Sequence, residues 1–177
     1  MRNLALSACC ALLAATVPAV AQSGNPMTDA MKAQFAIVKG DLTKTAEQVT
    51  EENYAFKPTT DVRNLGALIG HVADASYYFC STASGAANPM KGTSVEKTKT
   101  SKAYLQKSLA DALAFCDAQL NGMTDAKGAE MVDFFGGKQP RIAVFAFNTA
   151  HDFEHYGNLV TYMRLKGMVP PSSQKGM

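Results

Sequence analysis

The chain has 177 residues, with 17 Lys and Arg against 15 Asp and Glu and a formal charge of +2. That is the length of one domain, without the basic surplus that nucleic acid demands and without an acidic tail. With 47% hydrophobic residues the chain can bury a core.

The first segment, MRNLALSACCALLAATVPAVAQ, carries Arg2, an apolar run from Leu4 to Val17, and then Ala19-Val20-Ala21. This pattern predicts a signal peptide over 1–21 and a secreted or periplasmic domain over 22–177. Pro18 interrupts the run, and a spanning helix needs about 20 apolar residues; no later stretch meets that length, so no membrane partner is expected. Leu6-Ser7-Ala8-Cys9 has the form of a lipoprotein cleavage box, but too few residues precede Cys9 for a working apolar region. Export would leave Cys80 and Cys116 in an oxidising compartment, where a disulfide and two buried thiols both fit.

Four helical patterns follow. The first covers about 28–49, with Met31, Phe35, Val38, Leu42, Ala46 and Val49 at steps of three and four and Thr28 or Asp29 as N-cap. Pro58 stops it. The second starts at Asn64, a good N-cap, and runs to about 83 with Leu65, Leu68, Ile69, Val72, Ser76 and Phe79 inward; Gly85 ends it. Residues 84–99 read as a long surface connection. The third pattern covers about 100–120, with Leu105, Leu109, Ala112, Leu113, Cys116 and Leu120 inward and Gly122 as its stop. After a loop with an apolar knot at Phe134-Phe135, Pro140 opens the fourth, which runs to about 166 before Gly167 and Pro170-Pro171. No convincing strand is present. Four amphipathic helices without a strand partner predict an all-α four-helix bundle.

Two of the three histidines, His151 and His155, lie four apart on the fourth helix. Residues at that spacing are neighbours, so two imidazoles can aim at one ion. His71 sits beside the inward stripe of the second helix. Bundles build ligand sites from facing helices, and three imidazoles leave a divalent metal open positions, the arrangement of a catalytic site. The competing explanation is three boundary histidines hydrogen-bonded to Asp74, Asp152 or Glu154. Two metal motifs fail. His151-Asp152-Phe153-Glu154-His155 matches H-x-x-E-H, but none of the 22 residues after His155 is Glu, Asp or His to supply a further ligand. A ferritin-like di-metal site needs Glu-x-x-His, which the chain lacks.

HDFEHYGNLVTYMRLKGMVPPSS resembles the C-terminal signature of the DinB/YfiT-like superfamily, H-x-x-x-H followed by G-Q/N-L and a Y-x-R-x-K/N-G ending. NLGALIGHVADASYYFCS resembles its second-helix signature, and the likeness extends through FFGGK-P-R to nearly the whole exported chain. The resemblance implies an up-down-down-up bundle that binds one divalent metal (zinc, nickel, iron or manganese) through His71, His151 and His155. It also implies a metal-dependent hydrolase or a thiol-dependent transferase, with a small-molecule substrate such as a low-molecular-weight thiol, no nucleic-acid partner, and a tendency to homodimers. Asp74, Tyr78 and Asn148 are candidates to support the site: Asp74 to orient an imidazole, Tyr78 to donate to an oxyanion. A non-catalytic periplasmic metal- or ligand-binding bundle is the alternative.

The helix order implied by the resemblance bears on the cysteines. Cys80 and Cys116 fall near the ends of the second and third helices, so parallel helices place them level and antiparallel ones separate them. Residues 84–99 could span ~50 Å extended, enough to retrace a helix of ~30 Å. Parallel helices joined by a Cys80–Cys116 disulfide are therefore expected.

Overall fold

The structure, a computed structural model, describes residues 24–174; the expected leader over 1–21 lies outside them. In chain order the helices are α1 (Pro26–Gln48), α2 (Leu65–Ser84), α3 (Val95–Thr98), α4 (Lys102–Asn121), α5 (Asp125–Gly128) and α6 (Arg141–Leu165). The long helices α1, α2, α4 and α6 form the bundle; α3 and α5 are single turns. No helix among the described residues is long and apolar enough to cross a membrane.

The three predicted stripes, together with Leu159 and Met163 of α6, form the core. Phe35, Val38, Leu42, Leu65, Ile69, Val72, Leu105, Leu109, Leu113, Leu159 and Met163 are all buried. Their spacing puts each set on one side of its helix, where burial of each large side chain contributes roughly 1.5–3 kcal/mol. Asn64 caps α2 by accepting from the Ala67 N–H at 2.7 Å, and Gly85 closes it with φ of 82°.

Cross-helix contacts fix the directions. A Cβ on Gly66 would touch Leu105, so α2 and α4 start at the same level. Their far ends are joined by the Cys80–Cys116 disulfide, with Cα atoms 5.3 Å apart. The two helices are therefore parallel. Arg141 donates to the Ala83 carbonyl, and the Tyr162 hydroxyl to the Arg63 carbonyl, so α6 runs antiparallel to α2. Lys39 pairs with Asp117, and Gln106 donates to the Ala46 carbonyl, so α1 is antiparallel to α4. The order is up-down-down-up.

Three local expectations are corrected. The N-terminus of α1 begins at Pro26, ahead of Thr28 and Asp29. Its exposed amides are satisfied from a distance: the Asp125 carboxylate accepts from the Met27 and Thr28 N–H groups at 3.1 and 2.8 Å. An anion at a helix N-terminus satisfies orphan donors and complements the dipole, so no local cap is required. Residues 131–140 are not a simple loop. Met131–Phe134 and Gly137–Pro140 pair as an antiparallel hairpin, β1 and β2, and Pro140 ends β2 instead of lying inside α6. Its two-residue connection needs positive φ at Phe135 (47°) and Gly136 (79°). Hairpin turns of this kind favour Asn-Gly, and Phe-Gly does not carry that signal. Finally, residues 84–99 are not all surface connection, because α3 folds back onto α2.

Candidate metal centre

His71 leaves α2 one residue after Gly70, and His151 and His155 leave α6 one turn apart. Because α2 and α6 pack face to face, the three rings meet. Their centroids are 5.2 Å (His71–His151), 4.8 Å (His71–His155) and 4.3 Å (His151–His155) apart. One nitrogen from each lies within 4.8 Å of the others. The Nε2 atoms of His151 and His155 are 3.0 Å apart. Two nitrogen lone pairs that close repel unless a proton or a cation lies between them. Two nitrogens each ~2.0–2.1 Å from a small ion in tetrahedral geometry are ~3.3 Å apart. The donor set therefore fits one divalent cation.

The surroundings favour neutral rings. Burial lowers the pKa of all three histidines, and the Arg63 guanidinium acts in the same direction. His151 falls furthest, to about 4, through burial and then the neighbouring His155 and His71. A neutral imidazole is the form that ligates metals. One flank of His151 is aromatic: Phe79 lies 5.4 Å from it and also meets Phe134, Phe135 and Phe147 at 5.8, 6.1 and 5.0 Å. Phe79, itself buried, covers this side of the His151 ring.

Two rings have Nδ1 partners. Asn158 Nδ2 lies 3.4 Å from His155 Nδ1, so the amide as placed donates to that nitrogen, and only the flipped amide accepts from Nδ1–H. Glu96 Oε2 lies 3.5 Å from His71 Nδ1, while its Oε1 accepts from Arg63 Nε at 2.9 Å. His151 Nδ1 is buried without a partner.

The three supporting candidates are placed as follows. Asp74 does not bond a histidine. Its carboxylate accepts from the Ser94 hydroxyl (2.6 Å) and from the Val95 and Glu96 N–H groups (2.7 and 3.1 Å), so it holds the start of α3. Asn148 is buried and donates to Asp152 Oδ2 at 3.0 Å, not to a histidine ring. Tyr78 is 46% exposed and packs its ring on Phe79 at 5.3 Å. The residues that do contact the cluster, Glu96 and Asn158, were not singled out from the sequence. Asn158 follows His155 by three positions, a helical neighbour that spacing alone could have nominated. Glu96 had no such signal, because it lies 25 residues from His71 in a connection.

A model of the DinB superfamily matches residues 34–159. The chain is 25% identical over 127 residues to the protein YjoA of Bacillus subtilis (strain 168), covering 69% of this chain and 79% of that one. The crystal structure of the DinB-like YjoA superposes with a TM-score of 0.67 at 20% identity, over 83% of this chain and 99% of that chain. A DinB-like protein from Bacillus cereus ATCC 10987 gives a TM-score of 0.69 at 18% identity, over 81% of this chain and 95% of that chain. At these identities the solved structures speak for the fold, and the family match covers most of the bundle and all three histidines. The chain belongs to the DinB superfamily.

Proposed function

We propose that the protein is an exported metalloenzyme that holds one divalent cation through His71, His151 and His155 and acts as a metal-dependent hydrolase or thiol-dependent transferase. The observation that carries this reading is the 3.0 Å approach of two Nε2 atoms on α6, with the His71 ring 4.8–5.2 Å away on α2. Three protein donors leave coordination positions for water or substrate, as in catalytic sites, whereas closed sites use four. When bound, such an ion would supply Lewis acidity, lowering the pKa of a water or thiol placed on it. The chain's own contribution is to present three neutral nitrogens and to cover one side of the His151 ring with Phe79. Zinc, nickel, iron and manganese are all compatible with imidazole donors.

A non-catalytic metal-binding bundle is the second reading. It is favoured by one observation: Glu96 is the only carboxylate among the described residues that ion-pairs with a cluster ring, and it is already tied to Arg63. Among the described residues no other acid or base ion-pairs with the rings.

The test begins with elemental analysis of protein purified without chelator. One ion per chain, lost in His155→Ala without loss of helicity, is expected. A screen for ester and amide hydrolysis and for thiol transfer, with and without chelator, then separates the two readings. Turnover that chelation abolishes and added metal restores supports the enzyme. Stoichiometric metal with no turnover supports the binding module, and protein that takes up no divalent ion overturns both.

A further inference from the structure

The connection between α2 and α4 places one side chain against the histidine cluster, and several features of the fold converge to put it there. Asp74, one helical turn after His71, accepts three hydrogen bonds, from the Ser94 hydroxyl at the cap of α3 and from the N–H groups of its first two residues. Those bonds anchor α3 on the surface of α2. Gly70 lets it come close: a Cβ there would lie 2.7 Å from Glu96 Cα and 3.0 Å from Glu96 N, nearer than real side chains approach. Arg63, just before the Asn64 cap, then takes one carboxylate oxygen of Glu96 at 2.9 Å and leaves the other 3.5 Å from His71 Nδ1. The approach of Glu96 to His71 thus depends on a missing side chain, an anchored backbone turn and an oriented carboxylate.

We infer that Glu96 is a positioning residue, which holds His71 as its Nδ1–H tautomer and so directs the Nε2 lone pair toward His151 and His155. This inference rests on the metal reading above for its purpose, but not for its geometry. A neutral imidazole has one N–H and one lone pair, and a carboxylate beside Nδ1 favours the proton there. The other tautomer puts the proton on Nε2, between the three rings, where it blocks a cation. A carboxylate on the far nitrogen also makes the ring a stronger donor. The contact is long for a hydrogen bond, as such contacts often are before a ligand binds. The groups that face His71 are Glu96, Arg63 behind it, Asp74, and the rings of His151 and His155. Of these, Glu96 alone contacts Nδ1.

The test uses metal-free protein labelled with ¹⁵N-histidine, in wild type, Glu96→Ala, Glu96→Gln and Arg63→Gln, with His71→Gln for assignment. Long-range ¹H–¹⁵N spectra at about pH 7.5, where free histidine is mostly neutral, report the tautomer of each ring. Zinc affinity is measured in parallel by competition with a chromophoric chelator. The wild type should show His71 as Nδ1–H. Glu96→Ala should shift it toward Nε2–H and weaken zinc binding about 10–100-fold. Glu96→Gln, which keeps an acceptor oxygen and the side-chain shape, should retain much of the tautomer preference, and Arg63→Gln should shift it less than Glu96→Ala does. A wild-type His71 already in the Nε2–H form overturns the inference, as does an unchanged tautomer in both Glu96 variants. Wild-type protein that binds no zinc defeats the metal reading instead, and the tautomer comparison still decides the role of Glu96.

Discussion

Gly70 and Glu96 are in backbone contact across two helices: the space where a Gly70 side chain would stand is taken by Glu96 Cα, 2.7 Å from the ideal Cβ position. Gly70→Ala must therefore push α3 off α2. Overpacking of this kind costs about 1–3 kcal/mol. Urea denaturation should show a lower midpoint, and zinc affinity should fall with it because Glu96 moves. Gly157 on α6 is the control, since nothing lies within 4 Å of its would-be Cβ. Gly157→Ala should stabilise by up to about 1 kcal/mol, the helix-propensity gain, and leave zinc binding unchanged. Equal effects of the two substitutions would contradict this packing.

The Cys80–Cys116 disulfide joins the parallel helices α2 and α4 across a sequence separation of 36. In the loop-entropy treatment a closure of this size contributes about 3–4 kcal/mol. Reduction should lower the free energy of unfolding by up to that amount while leaving the bundle helical, because both cysteines are buried among apolar residues that pack regardless. Urea titrations followed by circular dichroism, with and without a phosphine reductant, check this. Identical midpoints would show that the bridge does not constrain the unfolded chain.

Histidine burial sets one pH dependence of the metal-free protein. His151 has its folded pKa lowered from 6.5 to about 4. Between those values the unfolded chain takes up a proton that the folded chain refuses, so stability falls as pH drops from about 6.5 toward 4. Above 6.5 this contribution is fully present. His151→Gln should flatten the slope in that window, read as the unfolding free energy at a series of pH values. A slope unchanged by the substitution would place its origin elsewhere.

Asp152 acts in the opposite sense. It is buried, its carboxyl pKa is raised by that burial, and Asn148 offsets this in part by donating to Oδ2. The Ser76 hydroxyl lies near enough to favour the anion but is out of hydrogen-bond geometry, so Ser76 Oγ and Asp152 Oδ1 both lack a partner. Above about pH 3.8 the unfolded chain loses this proton while the folded chain keeps it, and stability falls as pH rises toward the folded pKa. Asp152→Asn removes the titration and keeps the shape. Its advantage over wild type should be absent near pH 3.8 and should grow as pH rises toward neutrality. A variant less stable than wild type at neutral pH would mean that the anion is compensated by a group that neither Asn148 nor Ser76 supplies.

Much of the bundle was legible because helical periodicity is local. The spacing of Leu105, Leu109, Leu113 and Leu120 marks one buried face whatever that face meets, and all four are buried. The Asn64 and Gly85 boundaries were legible for the same reason, since caps act within a turn. The α1 cap was not, because its acceptor Asp125 is about a hundred residues away in sequence. The hairpin was missed because Phe135 occupies a turn position that favours Asn or Gly, so the usual turn residues gave no warning.

The sequence by itself determined that His151 and His155 share a helix face, since a spacing of four admits no other outcome once the helix forms. The place of His71 beside the inward stripe of the second helical pattern nominated it as the third member, and the resemblance to a family pointed to the same residue. Only the tertiary structure decided that His71 reaches the pair, that Glu96 stands behind it, and that Asp74 holds α3 instead of a histidine. Those are contacts between elements distant along the chain, set by how α2, α3 and α6 pack, and no local pattern of residues encodes a distance across a helix interface.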